Sequence, residues 1–134
     1  MSLKKRVITF GTFDVFHVGH LKLLERAASE GSALVVGVST DCLNFSKKGR
    51  YPIYSQGERV QIISALSCVS EVFLEESLEL KRQYIQAYRA DCLVMGDDWS
   101  GKFDHLIDVC EVKYLPRTPS ISTTEVIERI QVIS

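Results

Sequence analysis

Close cysteine pairs are missing from this sequence: Cys42, Cys68, Cys92 and Cys110 are widely separated. Zinc sites and redox pairs usually show C-x-x-C spacing, so neither is expected. Three of the four sit within or beside apolar runs, where a free thiol packs as a small hydrophobe. That usage fits reduced cysteines in a reducing compartment, and cytoplasm is the default expectation. Long hydrophobic runs are missing too. No stretch reaches the ~20 apolar residues of a membrane helix, and the apolar run ending at Phe10 is too short for a signal-peptide core. An excess of either charge is also absent: 16 Lys and Arg face 17 Asp and Glu, a formal net charge of −1. Without a global basic field the chain is not expected to hold nucleic acid or an anionic membrane. Any phosphate chemistry must rest on a few cations placed locally. What remains is ordinary for a globular protein, with 46% hydrophobic and 25% charged residues. The 134 residues suit one domain with a single core, spanning 1–134.

Two kinds of segment alternate along the chain. Short β-branched or aromatic runs occur at Val7–Phe10, Leu34–Val38, Val72–Leu74, Leu93–Met95 and Val112–Leu115. They lack clean polar alternation, which predicts strands buried on both faces. Between them the apolar residues follow helical spacing: Leu21, Leu24 and Ala28; Val60 and Ile63; Leu80, Tyr84 and Tyr88; Val126, Ile127 and Ile130. Ser55–Glu58 and Ser122–Glu125 both fit the capping box that opens a helix. Strand alternating with helix predicts right-handed crossovers and a five-stranded parallel sheet, doubly wound and covered on both sides. The one long irregular stretch, Thr40–Tyr54, is polar and carries Lys47, Lys48 and Arg50. A loop of that length in a compact domain is more often functional than idle.

Ligands of an open parallel sheet bind beyond the carboxyl ends of its strands. Leaving the first of these is Gly11-Thr-Phe-Asp14-Val-Phe-His17-Val-Gly19-His20. Its glycines let a ligand approach the backbone, and histidines three apart in a first helical turn share a face. Imidazole N–H groups there would suit a phosphate, which the helix dipole already favours. Taken alone, H-x-x-H also fits a solvated pair or part of a metal site. A second segment, Met95-Gly-Asp97-Asp98-Trp99-Ser-Gly101-Lys102-Phe103-Asp104, reads alone as a glycine- and aspartate-rich turn. The third runs from Leu115 through Arg117, Thr118, Ser120 and Ser122 to Thr123 and Thr124. It offers a fixed cation and hydroxyls at a helix start, a phosphate cradle without a glycine-rich loop, and Ser122 also serves as an N-cap.

The first string resembles the signature of the nucleotidyltransferase superfamily marked by H-x-G-H after G-T-F-D. All three segments together, in order and spacing, resemble the glycerol-3-phosphate cytidylyltransferase family. The resemblance implies a Rossmann-like α/β domain that transfers CMP from CTP to a phosphorylated alcohol, most simply glycerol 3-phosphate, with Mg²⁺ carried on the nucleotide. It implies a homodimer as well. By position, Thr12, Phe13, Asp14, Gly19, His17 and His20 would hold CTP, with Asp97 and the turn from Arg117 and Thr118 to Ser122, Thr123 and Thr124. His17, His20, Lys47 and Arg117 would carry catalysis, and Asp14 would partner the metal or a neighbouring cation. Lys47, with Lys48 or Arg50, would close over triphosphate and acceptor. Lys81 would contact the acceptor phosphate, although by itself it reads as part of a solvated helix face. Ser67, Ser70, Leu78 and Ser120 depart from the family pattern, and the first three are expected to affect acceptor choice or the subunit contact. An adenylyltransferase, a different phosphorylated acceptor and a silent nucleotide-binding domain are the competing expectations.

Overall fold

The computed structural model describes residues 4–116 and 122–133. The five apolar runs become β1 (Arg6–Gly11), β2 (Ala33–Ser39), β3 (Glu71–Glu75), β4 (Cys92–Gly96) and β5 (Glu111–Leu115). They form one sheet in the order β3-β2-β1-β4-β5, with every pairing parallel. The Rossmann-like α/β architecture expected from the sequence is therefore the one observed. The three inner strands are buried on both faces, whereas β3 and β5 are only partly covered. As edge strands they have a neighbour on one side only, so continuous burial was an over-reading for these two.

Alternation along the strands divides the core. Val7, Val36 and Val38 face α1 (Val18–Ala28) and α3 (Gln56–Ser64), meeting Leu24, Ala27 and Ile63. Ile8, Val35 and Leu93 point the other way, toward Ile85 of α4 (Lys81–Ala87) and Leu106. Neighbouring residues of one strand thus serve opposite faces, as the two-residue pleat requires. Truncating Ile8, Leu24, Ile63, Ile85, Leu93 or Leu106 to Ala would cost about 2–5 kcal/mol. All four cysteines are free thiols; Cys92 and Cys110 are buried, and Cys42 is exposed.

The stretch Thr40–Tyr54 is not irregular throughout. It contains α2 (Asp41–Lys48), opened by Thr40, whose Oγ1 accepts from the Leu43 N–H at 3.1 Å. Gly49 closes the helix in the left-handed region at φ 72°. Only Leu43 and Asn44 of α2 are buried, too few to leave a periodic stripe in the sequence. The last helix, α5 (Thr123–Ile133), begins where Ser122 Oγ accepts from the Glu125 N–H at 3.2 Å.

One break in the sheet positions the site. β1 pairs with β2 at six positions but with β4 only through Val7–Cys92 and Ile8–Leu93. Beyond these, β1 continues to Gly11 and β4 to Gly96 without a shared ladder. The strands part at the point where the chain order reverses, which opens a crevice at their carboxyl ends.

Candidate active site

The turn leaving β1 is held in costly backbone. Phe13 and Val15 have φ of 55° and 47°, the left-handed region that side chains, β-branched ones above all, avoid. A Cβ on Gly11 would lie 2.8 Å from the Phe13 ring, so any side chain there would force the ring to move. Asp14 locks the turn: Oδ1 accepts from the N–H groups of Val15 (3.0 Å) and Tyr54 (2.8 Å), and Oδ2 from Ile53 (2.8 Å). Both carboxylate oxygens are committed to backbone.

His17 is the N-cap of α1, with Nδ1 accepting from the Gly19 N–H at 3.0 Å. His20 returns the favour, with Nδ1 accepting from the His17 N–H at 3.2 Å. Two imidazoles thus replace the usual Ser and Glu of a capping box. Because each Nδ1 is an acceptor, each neutral ring carries its proton on Nε2. The two Nε2 atoms converge on the Thr123 Oγ1, at 3.2 Å and 3.4 Å, while that hydroxyl donates to the Asp14 carbonyl at 3.4 Å. The rings stack with centroids 3.9 Å apart, and Phe13 and Phe16 flank His20. Burial, then the neighbouring His17, lowers the His20 pKa to about 4 against a smaller opposing pull from Asp14. Burial lowers His17 too. At neutral pH the pair is an uncharged, rigid double donor.

Two clefts meet at Thr12. The first, about 240 Å³, holds His20, Thr123, Thr124, Lys48 and Arg50. The second, about 150 Å³, is lined by Lys47, Glu75, Lys81, Leu78, Trp99 and Phe103. In the wall between them a closed ring of hydrogen bonds runs from Ser39 Oγ to Thr12 Oγ1 (3.1 Å), from Thr12 to Asn44 Oδ1 (2.9 Å), and from Asn44 Nδ2 to Ser39 Oγ (2.8 Å). α2 straddles the wall, so consecutive residues Lys47 and Lys48 serve different clefts. Lys47 is exposed as a residue, yet its pKa falls below the ordinary value. Burial of the ammonium is the main cause; Glu75 opposes it, and Lys48 and Lys81 add to it.

Residues 8–129 match the cytidylyltransferase-like family. The chain belongs to that family. It is 51% identical over 126 residues to the glycerol-3-phosphate cytidylyltransferase of Bacillus subtilis strain 168, covering 94% of this chain and 97% of that protein. It is 42% identical to the Staphylococcus aureus glycerol-3-phosphate cytidylyltransferase, covering 91% and 92%. A crystal structure of the lipopolysaccharide core biosynthesis protein of Thermoplasma volcanium superposes with a TM-score of 0.70 at 25% identity, covering 87% of this chain and 98% of that one.

For this cytidylyltransferase-like chain, the structure brings together most of the residues the sequence singled out. Thr12, Phe13, Asp14, His20, Thr123 and Thr124 line the first cleft, and His17 reaches it through Thr123. Gly19 supplies the N–H that fixes His17, and Ser122 caps α5. Asp97 lies exposed in the turn after β4, on neither cleft wall. Arg117, Thr118 and Ser120 lie outside the described residues. Lys81 is not on a solvated face: it is 6% exposed and paired with Glu75.

Two departures from the family pattern lie away from the second cleft. Ser67 and Ser70 lie before Glu71, where β3 begins, while the second cleft opens at Glu75, where it ends. Five residues of strand separate the two ends by roughly 15 Å. Ser70 has a local task, accepting from the Leu34 N–H at 3.1 Å. Leu78 alone of the three stands in the second cleft.

Three residues that sequence reasoning missed organise the site. Arg59 is fully buried and donates to the carbonyls of Tyr54 (3.0 Å), Thr12 (2.9 Å) and Ser39 (2.7 Å) and to Asp41 Oδ1 (2.7 Å). It ties the ends of β1 and β2 to α2 and the loop before α3. Asn44 closes the hydroxyl ring, and Glu75 holds Lys81. An arginine adjacent to the apolar stripe of α3 was the only sequence signal among them.

Proposed function

We propose that this chain transfers the cytidylyl group of CTP to glycerol 3-phosphate, giving CDP-glycerol and pyrophosphate. The observation that carries the reading is the convergence of two Nε2–H donors on one oxygen at the first cleft, beside Lys48 and Arg50, with the cleft of Lys47 and Lys81 adjoining at Thr12. Family membership and the names of the relatives supply the reaction class and the substrates.

The acceptor phosphate is already a nucleophile at pH 7. Its oxygen attacks the α-phosphorus as the bond to the bridging oxygen breaks, and the electron pair leaves with pyrophosphate. No proton has to move, so catalysis consists of positioning and charge stabilisation. His17 and His20 donate to the α-phosphate and bridging oxygens, and their neutrality avoids the cost of two stacked cations. Lys48 and Arg50 hold the departing phosphates. Lys47 holds the acceptor phosphate, and Lys81, paired with Glu75, adds positive charge to the same cleft. Arg117 keeps its catalytic role, and Thr118 and Asp97 their nucleotide roles, on the family resemblance alone; the homodimer rests on it too.

Among the described residues no group of three or more His, Cys, Asp or Glu side chains is placed to hold a metal ion, and Asp14 is committed to backbone N–H groups. The donor set therefore fits Mg²⁺ carried by the triphosphate rather than a protein cage. Such an ion would neutralise charge on the β- and γ-phosphates. No helix of the described residues is long and apolar enough to cross a membrane; a cytoplasmic location follows from the substrates proposed.

Pyrophosphate release with CTP or ATP, against a panel of phosphorylated acceptors, tests the reading. The expected result is release with CTP and not with ATP, dependent on an acceptor and greatest with glycerol 3-phosphate. Equal release with ATP would assign an adenylyltransferase instead, and release with none would leave a binding domain.

A further inference from the structure

Glu75 ends β3 and is 2% exposed. Its Oε2 accepts from Lys81 Nζ at 2.6 Å, and that ammonium stands 4.5 Å from the Phe10 ring centroid and 5.4 Å from that of Phe103. A buried ion pair is a poor device for stability alone, since apolar residues of similar volume often serve as well or better. Nor does this pair lie beneath the sheet: both residues line the second cleft beside Lys47.

The polar lining of that cleft is divided by chemistry. Lys47 and Lys81 are donors only. The hydroxyls of Thr12 and Ser39 are closed into the ring with Asn44. Among the described lining residues, Glu75 is the one charged acceptor. A carboxylate has about four acceptor sites, so one bond to Lys81 leaves capacity for others. The same carboxylate repels a phosphate. It therefore orients a ligand end for end, with the anionic group toward Lys47 and the hydroxyl-bearing end toward Glu75.

We propose that Glu75 is a specificity-determining residue that accepts hydrogen bonds from the hydroxyl groups of a phosphorylated polyol. Lys81 holds the carboxylate in place and compensates its charge, which leaves Glu75 a reader of hydroxyls rather than a trap for cations. This inference rests on the transferase reading above and deepens it by giving the acceptor's hydroxyls a partner.

The test compares glycerol 3-phosphate with propyl phosphate, which keeps the phosphate and the three carbons and lacks both hydroxyls. Pyrophosphate release is measured at saturating CTP for the unaltered protein, Glu75→Ala and Glu75→Gln. Loss of a charge-assisted hydrogen bond predicts a fall in kcat/KM for glycerol 3-phosphate of about 10- to 100-fold in Glu75→Ala. The propyl phosphate value should hold or rise, because a phosphate-repelling charge has gone, and KM for CTP should not change. Glu75→Gln keeps a carbonyl acceptor and a partner for Lys81, so it should fall between, and it decides the matter if the alanine variant does not fold. Equal losses with both acceptors would overturn the proposal and leave Glu75 a structural partner of Lys81. Failure of the unaltered protein to use glycerol 3-phosphate would instead overturn the transferase reading, and the Glu75 assignment with it.

Discussion

Replacing His20 with Asn separates the two jobs of this imidazole. The asparagine Oδ1 can take the place of Nδ1 and accept the His17 N–H, while nothing takes the place of Nε2. Removing one positioned donor to transition-state charge typically costs 10²–10³ in kcat, and the loss should appear with little change in KM for CTP. Stability supplies an independent signature. The His20 pKa is near 4 in the folded protein and about 6.5 when unfolded, so the unfolded chain binds more protons between those values. Stability from this group is therefore complete above pH 6.5 and is lost as the pH falls toward 4. At pH 5.5 the loss is on the order of 1 kcal/mol relative to pH 8. For a chain of this size that is a drop in Tm of roughly 3–5 °C. Thermal unfolding at the two pH values should show this difference in the unaltered protein and a difference smaller by about that amount in His20→Asn. Turnover within tenfold of normal would refute the donor role. An unchanged pH dependence of Tm would refute the buried, neutral state.

Arg59→Met should cost about 3 kcal/mol or more, because three backbone carbonyls and Asp41 lose their donor. That corresponds to roughly 10 °C in a thermal melt, and Arg59→Lys should recover little, since an ammonium cannot reproduce the planar fork; a fall below 3 °C would contradict the tie described. Ser67→Arg should leave KM for glycerol 3-phosphate unchanged in steady-state kinetics, because the residue lies at the opposite end of β3 from the second cleft. A lowered KM would show that this position reaches an acceptor site by a route other than its own subunit's cleft.

The order of strands and helices, and the histidine turn, were legible in the residues because their causes are local. A run such as Leu34–Val38 is apolar wherever it lies, and Gly11, His17 and His20 act within one turn of chain. The stacking of the rings and their Nε2–H tautomers needed only that turn, yet their shared target, Thr123, comes from 103 positions further on. Arg59 went unnoticed in the sequence because three of its four partners, Thr12, Ser39 and Asp41, lie on segments that meet it only in the fold. Lys81 read as solvated because nothing in its own helix announces that Glu75 and Phe10 enclose it. Which elements form and which side chains can do phosphate chemistry follows from the residues alone, since propensity, periodicity and spacing act over a few residues. It took the folded chain to show which cation lines which cleft, that Ser67 stands away from the second cleft, and that Glu75 lines it. Those assignments depend on parallel strands that begin and end together in space, an alignment set by long-range pairing and the parting of β1 from β4.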